Sequence, residues 1–319
     1  MRIDNFRHRH STLREKALRL GFGVALATLG HLPPAMQNRI GVLLGRVQRL
    51  FSTRMTRVTR NNLRHCFPRW SSEELERQVQ ASLIDTGRLA LETSRIWYGP
   101  SESWRTSIRQ VVGEEILQHS LQGGRGVILL APHFGNWELL NAYLGARYTF
   151  SCLYQPPKIT ALQPLLKRCR QRSGSRLIEP DRKGIRYLLE ALKRGEVIGL
   201  LPDQVPERTG WVDSSFFGIP VLNMTLPCQL AARTGAVMLL GVARRLDPEG
   251  FEISFQELPE IEYSASGRND EAVCATRINR AIEEVVCSRP SQYQWEYKRF
   301  KKPRHISAAR MRASIEPVE

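Results

Sequence analysis

No stretch of this 319-residue chain reaches the run of about 18 uninterrupted apolar residues that marks a clear membrane-spanning helix. The nearest, LGFGVALATLGHL (20–32), is too short and contains His31. Six cysteines, at 66, 152, 169, 228, 274 and 287, form no C-x-x-C and no paired spacing. No zinc site follows from them, and they predict reduced thiols in a cytosol-facing protein, several of them plain core. The sequence has no G-x-S-x-G, no internal repeat and no low-complexity tract. Acid is scarce near the start: through residue 70 only Asp4 and Glu15 oppose 14 Lys+Arg.

What is present is a globular composition, 42% hydrophobic and 24% charged, with a formal net charge of +16. The first 70 residues carry +12 of that excess, and a second basic run, YKRFKKPRH (297–305), lies near the C-terminus. Such a balance calls for anionic partners. Nucleic acid is disfavoured, because the basic residues sit beside apolar segments rather than among base-stacking aromatics. The basic start followed by an apolar run has the outline of a secretory signal, but it passes into PPAMQNRIGVLLGRVQRLF without a clear A-x-A site. In IGVLLGRVQRLF (40–51), Ile40, Leu43, Leu44, Val47, Leu50 and Phe51 recur at helical spacing with Arg46 and Arg49 between them. An apolar face beside arginines predicts a helix lying in a membrane interface; a helix packed on the domain would show the same period.

Residues 1–110 read as a basic helical, membrane-interface segment, and 111–319 as an α/β domain. Ser71 or Ser72 supplies the N-cap of a helix in SSEELERQVQASLIDTGRLALETSRIWY, and GPSES (99–103) is a turn. Beyond residue 112, short apolar runs alternate with helical segments. GVILLAP, TFSCLYQ, RLIE, VIGLLP, AVMLLGVARR and FEISFQEL read as strands, with helices of mostly 10–15 residues among them. This predicts a central mixed sheet flanked by helices, with active groups where strand C-termini meet helix N-termini.

One such junction is GVILLAPHFGNWELLNAYLG (126–145), where His133 follows the strand end and Glu138 comes five positions later. On one continuous helix the two would not share a face. They pair only if His133 precedes the helix, and APHFGN permits that: Pro132 ends the strand, Gly135 bends the chain and Asn136 caps the helix. The imidazole would then be a general base and the carboxylate would orient it. Free N–H groups at the helix start would face an oxyanion. With no serine or cysteine nucleophile poised, the substrate's own hydroxyl would attack, as in direct acyl transfer. The competing reading is a satisfied histidine at a strand end.

APHFGNWE resembles the H-x4-[DE] block of the lipid A late acyltransferases, within the lysophospholipid acyltransferase superfamily. Three further blocks follow in order. YQPPK (154–158) resembles Y-R-P-x-[KN], and DRKGIRYLLEALKRGEVIGLLPDQ (181–204) with FFGIP (216–220) resembles the helix–strand–DQ–FFG region. TRINRAIEEVVCSRPSQYQWEYKRFKK (276–302) is similar to the terminal P-x-Q-Y-x-W and R-[FY]-K block. The resemblance implies a fold like that of the glycerol-3-phosphate and lysophospholipid acyltransferases. It also implies transfer of a fatty acyl chain from acyl carrier protein, or acyl-CoA, to a hydroxyl of a lipid A precursor. The alternative acceptor is another glycolipid or a lysophospholipid. His133 would be the base and Glu138 its orienting partner, at the cytoplasmic face of a bacterial inner membrane, with no cofactor and no metal.

Candidate substrate-binding residues are Asn136, Lys158, Arg168, Arg182, Arg186, Asp203 and Gln204. The family arginine of the second block is Gln155 here, so an anion contact there is missing or moved to Lys158. Val205 stands where many relatives carry another acid. Asp203 and Gln204 would position the acceptor or brace their loop. Arg168, Arg182, Lys183 and Arg186 would meet phosphates or form a solvated helix face. Trp137, Phe216 and Phe217 would line an acyl channel or simply pack, Tyr293 and Trp295 would be structural, and KRFKK would touch the membrane surface.

Overall fold

The computed structural model describes residues 12–51, 53–100, 102–205, 210–246, 250–259 and 268–300. Four helices come first: α1 (Leu13–Gly30), α2 (Pro34–Leu50), α3 (Arg54–Cys66) and α4 (Ser72–Tyr98). The α4 start is a capping box, in which Ser71 and Glu74 bond each other's backbone N–H groups. The chain then alternates through β1 (Ile108–Val112), α5 (Glu114–Gln122), β2 (Val127–Leu130), α6 (Trp137–Arg147) and β3 (Phe150–Leu153). It continues with α7 (Gln163–Gln171), β4 (Arg176–Ile178), α8 (Arg182–Lys193) and β5 (Val197–Leu200). The rest comprises β6 (Trp211–Phe216), β7 (Ile219–Met224), α9 (Leu226–Thr234), β8 (Val237–Arg245), β9 (Phe251–Glu257) and α10 (Arg268–Ser288).

Seven strands form one mixed sheet in the order β1-β9-β8-β2-β5-β3-β4, with β8 and β9 antiparallel and the other neighbours parallel. Its central strands are apolar on both faces because helices cover both. The period of two sorts them: Ile128, Leu130, Ile198, Leu200, Met238 and Leu240 join one core with residues of α3, α4, α8, α9 and α10. Val127, Leu129, Val197, Val237 and Leu239 face the other, packed on α5 and α6.

Three strands escaped the sequence reading. β1, which falls across the expected boundary near residue 110, adds an edge strand beside β9. β6 and β7 form a separate hairpin whose turn residues, Phe217 and Gly218, both have positive φ. The expectation of reduced thiols throughout is also corrected: Cys228 of α9 and Cys274 of α10 form a disulfide. Sequence spacing could not show that pairing, since 46 residues separate the two.

No helix among the described residues is long and apolar enough to cross a membrane. The face that α2 turns inward is not its apolar one. Gly41 and Gly45 meet the backbone of α4 so closely that a Cβ on Gly45 would lie 2.4 Å from the Cα of Ile84. Leu43, Leu44, Val47, Leu50 and Phe51 are exposed instead, as are Leu18, Leu20, Phe22 and Val24 of α1.

Candidate active site

β2 and β5 are parallel neighbours, with Leu130 opposite Leu200, and Ala131 N–H extends the pairing to the Leu200 carbonyl. Each strand then ends at a proline, Pro132 or Pro202, so His133 and Asp203 leave the sheet side by side. The Asp203 carboxylate receives two hydrogen bonds from His133, one from the backbone N–H to Oδ2 and one from Nδ1 to Oδ1, both 2.8 Å. The pair is nearly closed to solvent, with side chains 12% and 3% exposed. Burial opposes ionisation of Asp203, but the His133 charge, the two His133 hydrogen bonds and Arg299 together hold its carboxyl below the usual range.

With a carboxylate on Nδ1, that nitrogen carries the proton and Nε2 presents a lone pair. The Gln204 side-chain nitrogen lies 3.0 Å from Nε2 and donates to it. Gln204 is exposed, and its side-chain amide covers the one ring nitrogen able to take a proton. The Trp137 ring flanks the imidazole at 5.0 Å between centroids.

The expected His133–Glu138 couple is not what the fold brings together. Asn136 is the N-cap of α6, and its Oδ1 accepts the Leu139 N–H at 2.9 Å. Trp137 then faces the imidazole, and Glu138, one position on and about 100° around the helix, turns away. Its buried carboxylate accepts from Arg170 Nε at 2.8 Å and from the Trp97 indole at 3.3 Å. The Arg170 guanidinium also lies over the rings of Trp97 and Tyr154. Gly135 makes the bend possible: its φ is +58°, and a Cβ there would strike the Ala243 carbonyl at 2.0 Å. The N–H groups of residues 134, 135 and 136, ahead of the helix, are taken by the Pro132, Gln292 and Ala243 carbonyls, and at the helix start Leu139 N–H is taken by the Asn136 cap.

Asn136 is fully buried, and its amide is engaged by the cap and by Glu92 rather than turned to His133. Lys158, Arg168, Arg182, Lys183 and Arg186 are exposed, and none hydrogen-bonds His133, Asp203 or Gln204 among the described residues. Phe216 and Phe217 pack with Tyr293 and Trp295 in an aromatic cluster rather than along a channel.

The terminal block does more than pack. Gln294 N–H donates to the His133 carbonyl at 2.9 Å, and Gly135 N–H to Gln292. Tyr297 hydroxyl accepts the Val205 N–H at 3.0 Å, and the Tyr293 hydroxyl bonds Asp203. Arg299, expected at a membrane surface, is 2% exposed and donates to the Leu222 carbonyl and to Asn223 and Asn279. The basic run beyond it, from Lys301, lies outside the described residues. The segment therefore clamps both loops of the site, which its aromatic composition alone did not reveal.

The bacterial lipid A biosynthesis acyltransferase family model matches residues 4–302. Over 283 residues, 88% of this chain and 90% of the relative, the sequence is 29% identical to a lipid A biosynthesis palmitoleoyltransferase of Escherichia coli strain K12. It is 27% identical over 285 residues to the lipid A biosynthesis lauroyltransferase of the same organism, again 88% of this chain and 90% of that one. A phosphatidylinositol mannoside acyltransferase of Mycobacterium tuberculosis is 30% identical over 167 residues, half of this chain and 52% of that one. With this coverage, the chain belongs to the bacterial lipid A biosynthesis acyltransferase family and is an O-acyltransferase.

Proposed function

We propose that the protein transfers a fatty acyl chain from acyl carrier protein to a hydroxyl of a lipid A precursor, at the cytoplasmic face of a bacterial inner membrane. One observation carries the mechanism: His133 turns Nε2 toward the exposed Gln204 amide while Asp203 holds Nδ1. The acceptor hydroxyl displaces the Gln204 amide and gives its proton to Nε2 as its oxygen attacks the thioester carbonyl. Asp203 stabilises the imidazolium, the carbonyl carbon becomes tetrahedral, and its collapse breaks the carbon–sulfur bond. The imidazolium proton goes to the departing thiolate, leaving a free thiol, an ester and neutral His133. No cofactor or metal enters these steps.

Both partners are anionic, and the +16 charge supports them. The exposed apolar faces of α1 and α2, set among arginines, support an interfacial rather than spanning association with the membrane. A second reading, an inositol-mannoside or other glycolipid acceptor, draws on the 30% identity to the mycobacterial relative.

The test is transfer from acyl carrier protein to a purified lipid A precursor by His133→Ala and wild type. Loss of product with unchanged membrane association supports the reading; undiminished acylation would sink it. Mass spectrometry of the glycolipids from a deletion strain identifies the acceptor through the acyl mass that disappears.

A further inference from the structure

A cavity of about 230 Å³ lies where the start of α2, α4 and the β1 edge of the sheet meet, and its lining includes none of His133, Asp203 and Gln204. Four arginines, Arg88, Arg95, Arg109 and Arg245, line it against a single carboxylate, Glu92. That carboxylate is committed, since it accepts Arg245 Nε at 2.6 Å, Arg245 Nη2 at 2.7 Å and the Asn136 amide at 3.1 Å. Behind the lining, Asp85 holds Arg245 Nη1 at 2.9 Å and Arg88 only at 3.4 Å. Four guanidinium groups thus meet two carboxylates, which leaves positive charge over in the cavity.

Two buried polar atoms of the lining, Arg88 Nε and Ser103 Oγ, make no hydrogen bond. Buried donors are nearly always satisfied, so two orphans in one cavity indicate an acceptor that fills it. Water would serve Ser103 but leave the charge uncompensated. A phosphate group supplies several acceptor oxygens and matches the guanidinium fork. The cavity also opens beside the exposed apolar surface: Pro34 lines it, and Met36, two residues on, begins the outward face of α2.

We propose that this cavity binds a phosphate group, either free or as the headgroup of a lipid whose chains lie along the outer faces of α1 and α2. Arg88, Arg109 and Ser103 are the binding groups.

Thermal unfolding of the full chain in nonionic detergent tests this with three probes: inorganic phosphate, dihexanoyl phosphatidic acid and, as a phosphate-free control that should give no shift, dihexanoylglycerol. A specific ligand at 100 times its dissociation constant raises Tm by several degrees. Both phosphate probes should do so for wild type and lose most of the shift in Ser103→Ala and in Arg109→Gln, which are chosen because Arg88 also packs on α2. A shift with phosphatidic acid alone assigns the site to a lipid headgroup; one with inorganic phosphate alone assigns it to the free ion. No shift with either, or undiminished shifts in both variants, overturns the proposal. The readout is binding, so the result stands whether or not His133 acts as a base.

Discussion

His133 and Asp203 are 70 residues apart in sequence, yet they occupy equivalent positions, each three residues beyond a pair of facing leucines on adjacent parallel strands, and are joined by two 2.8 Å hydrogen bonds. The sheet register, not the local helix, sets this contact. Under the proposed mechanism it favours Asp203 for the orienting role, where the sequence motif pairs His133 with Glu138. Asp203→Asn should lower acyl transfer by on the order of 10³-fold, because an amide cannot stabilise the imidazolium or enforce the tautomer. Glu138→Gln should keep most activity per folded molecule but cost about 2 kcal/mol, since Arg170 loses its charged partner in a largely buried setting. Turnover corrected for folded fraction, together with urea unfolding, separates the two. A Glu138→Gln enzyme that is fully stable and inactive would return the orienting role to Glu138.

The same contact makes stability depend on acid. The Asp203 carboxyl is held below its ordinary range in the folded protein, so the unfolded chain binds its proton more readily. Its contribution is fully present above the unfolded value of about 4 and is lost as pH falls through the lower folded value. Urea midpoints measured from pH 5 down to pH 2.5 should fall for wild type, and more shallowly for Asp203→Asn. Equal slopes would show that this carboxyl does not carry the effect.

Legibility in the sequence followed locality. The strands of the sheet core were readable because Val127–Leu130 and Val197–Leu200 are short, wholly apolar and bounded by glycine and proline signals. The bend at Gly135 and the cap at Asn136 were readable for the same reason. The His133–Asp203 pairing needed the strand order, since β2 and β5 become neighbours only after β3 and β4 are placed outside them. One signal did exist: both strands end in the same apolar-Pro-polar pattern, LAPH and LLPD. Arg170 and Arg299 were hidden more deeply. Each sits in a basic run that reads as a solvated surface, and only tertiary packing shows which member of the run turns inward.

Gln204 offers a kinetic test of the displacement step. Its amide satisfies Nε2 in the free protein, so an incoming hydroxyl has to replace a hydrogen bond worth about 1 kcal/mol. Gln204→Ala should lower the acceptor KM by about two- to fivefold, with water as the weaker competitor. Steady-state kinetics with the acceptor varied at saturating donor reads this directly. A raised KM would mean that the side chain holds the acceptor rather than the place it enters.

The two faces of α2 make opposite predictions. Leu44 is about half exposed, whereas Gly45, the next residue, lies against the α4 backbone. Replacing Leu44 by Asp removes an apolar contact available only to a membrane, worth about 1.5–3 kcal/mol if fully inserted, and leaves the packing alone. Vesicle partition should fall by about tenfold or more, with little change in Tm. Replacing Gly45 by Leu places atoms where Ile84 already stands, so α2 has to leave α4 and Tm should drop by several degrees. Sedimentation with anionic vesicles and a thermal melt on each variant distinguish the cases. If Leu44→Asp binds vesicles as wild type does, the exposed face of α2 is not the membrane contact.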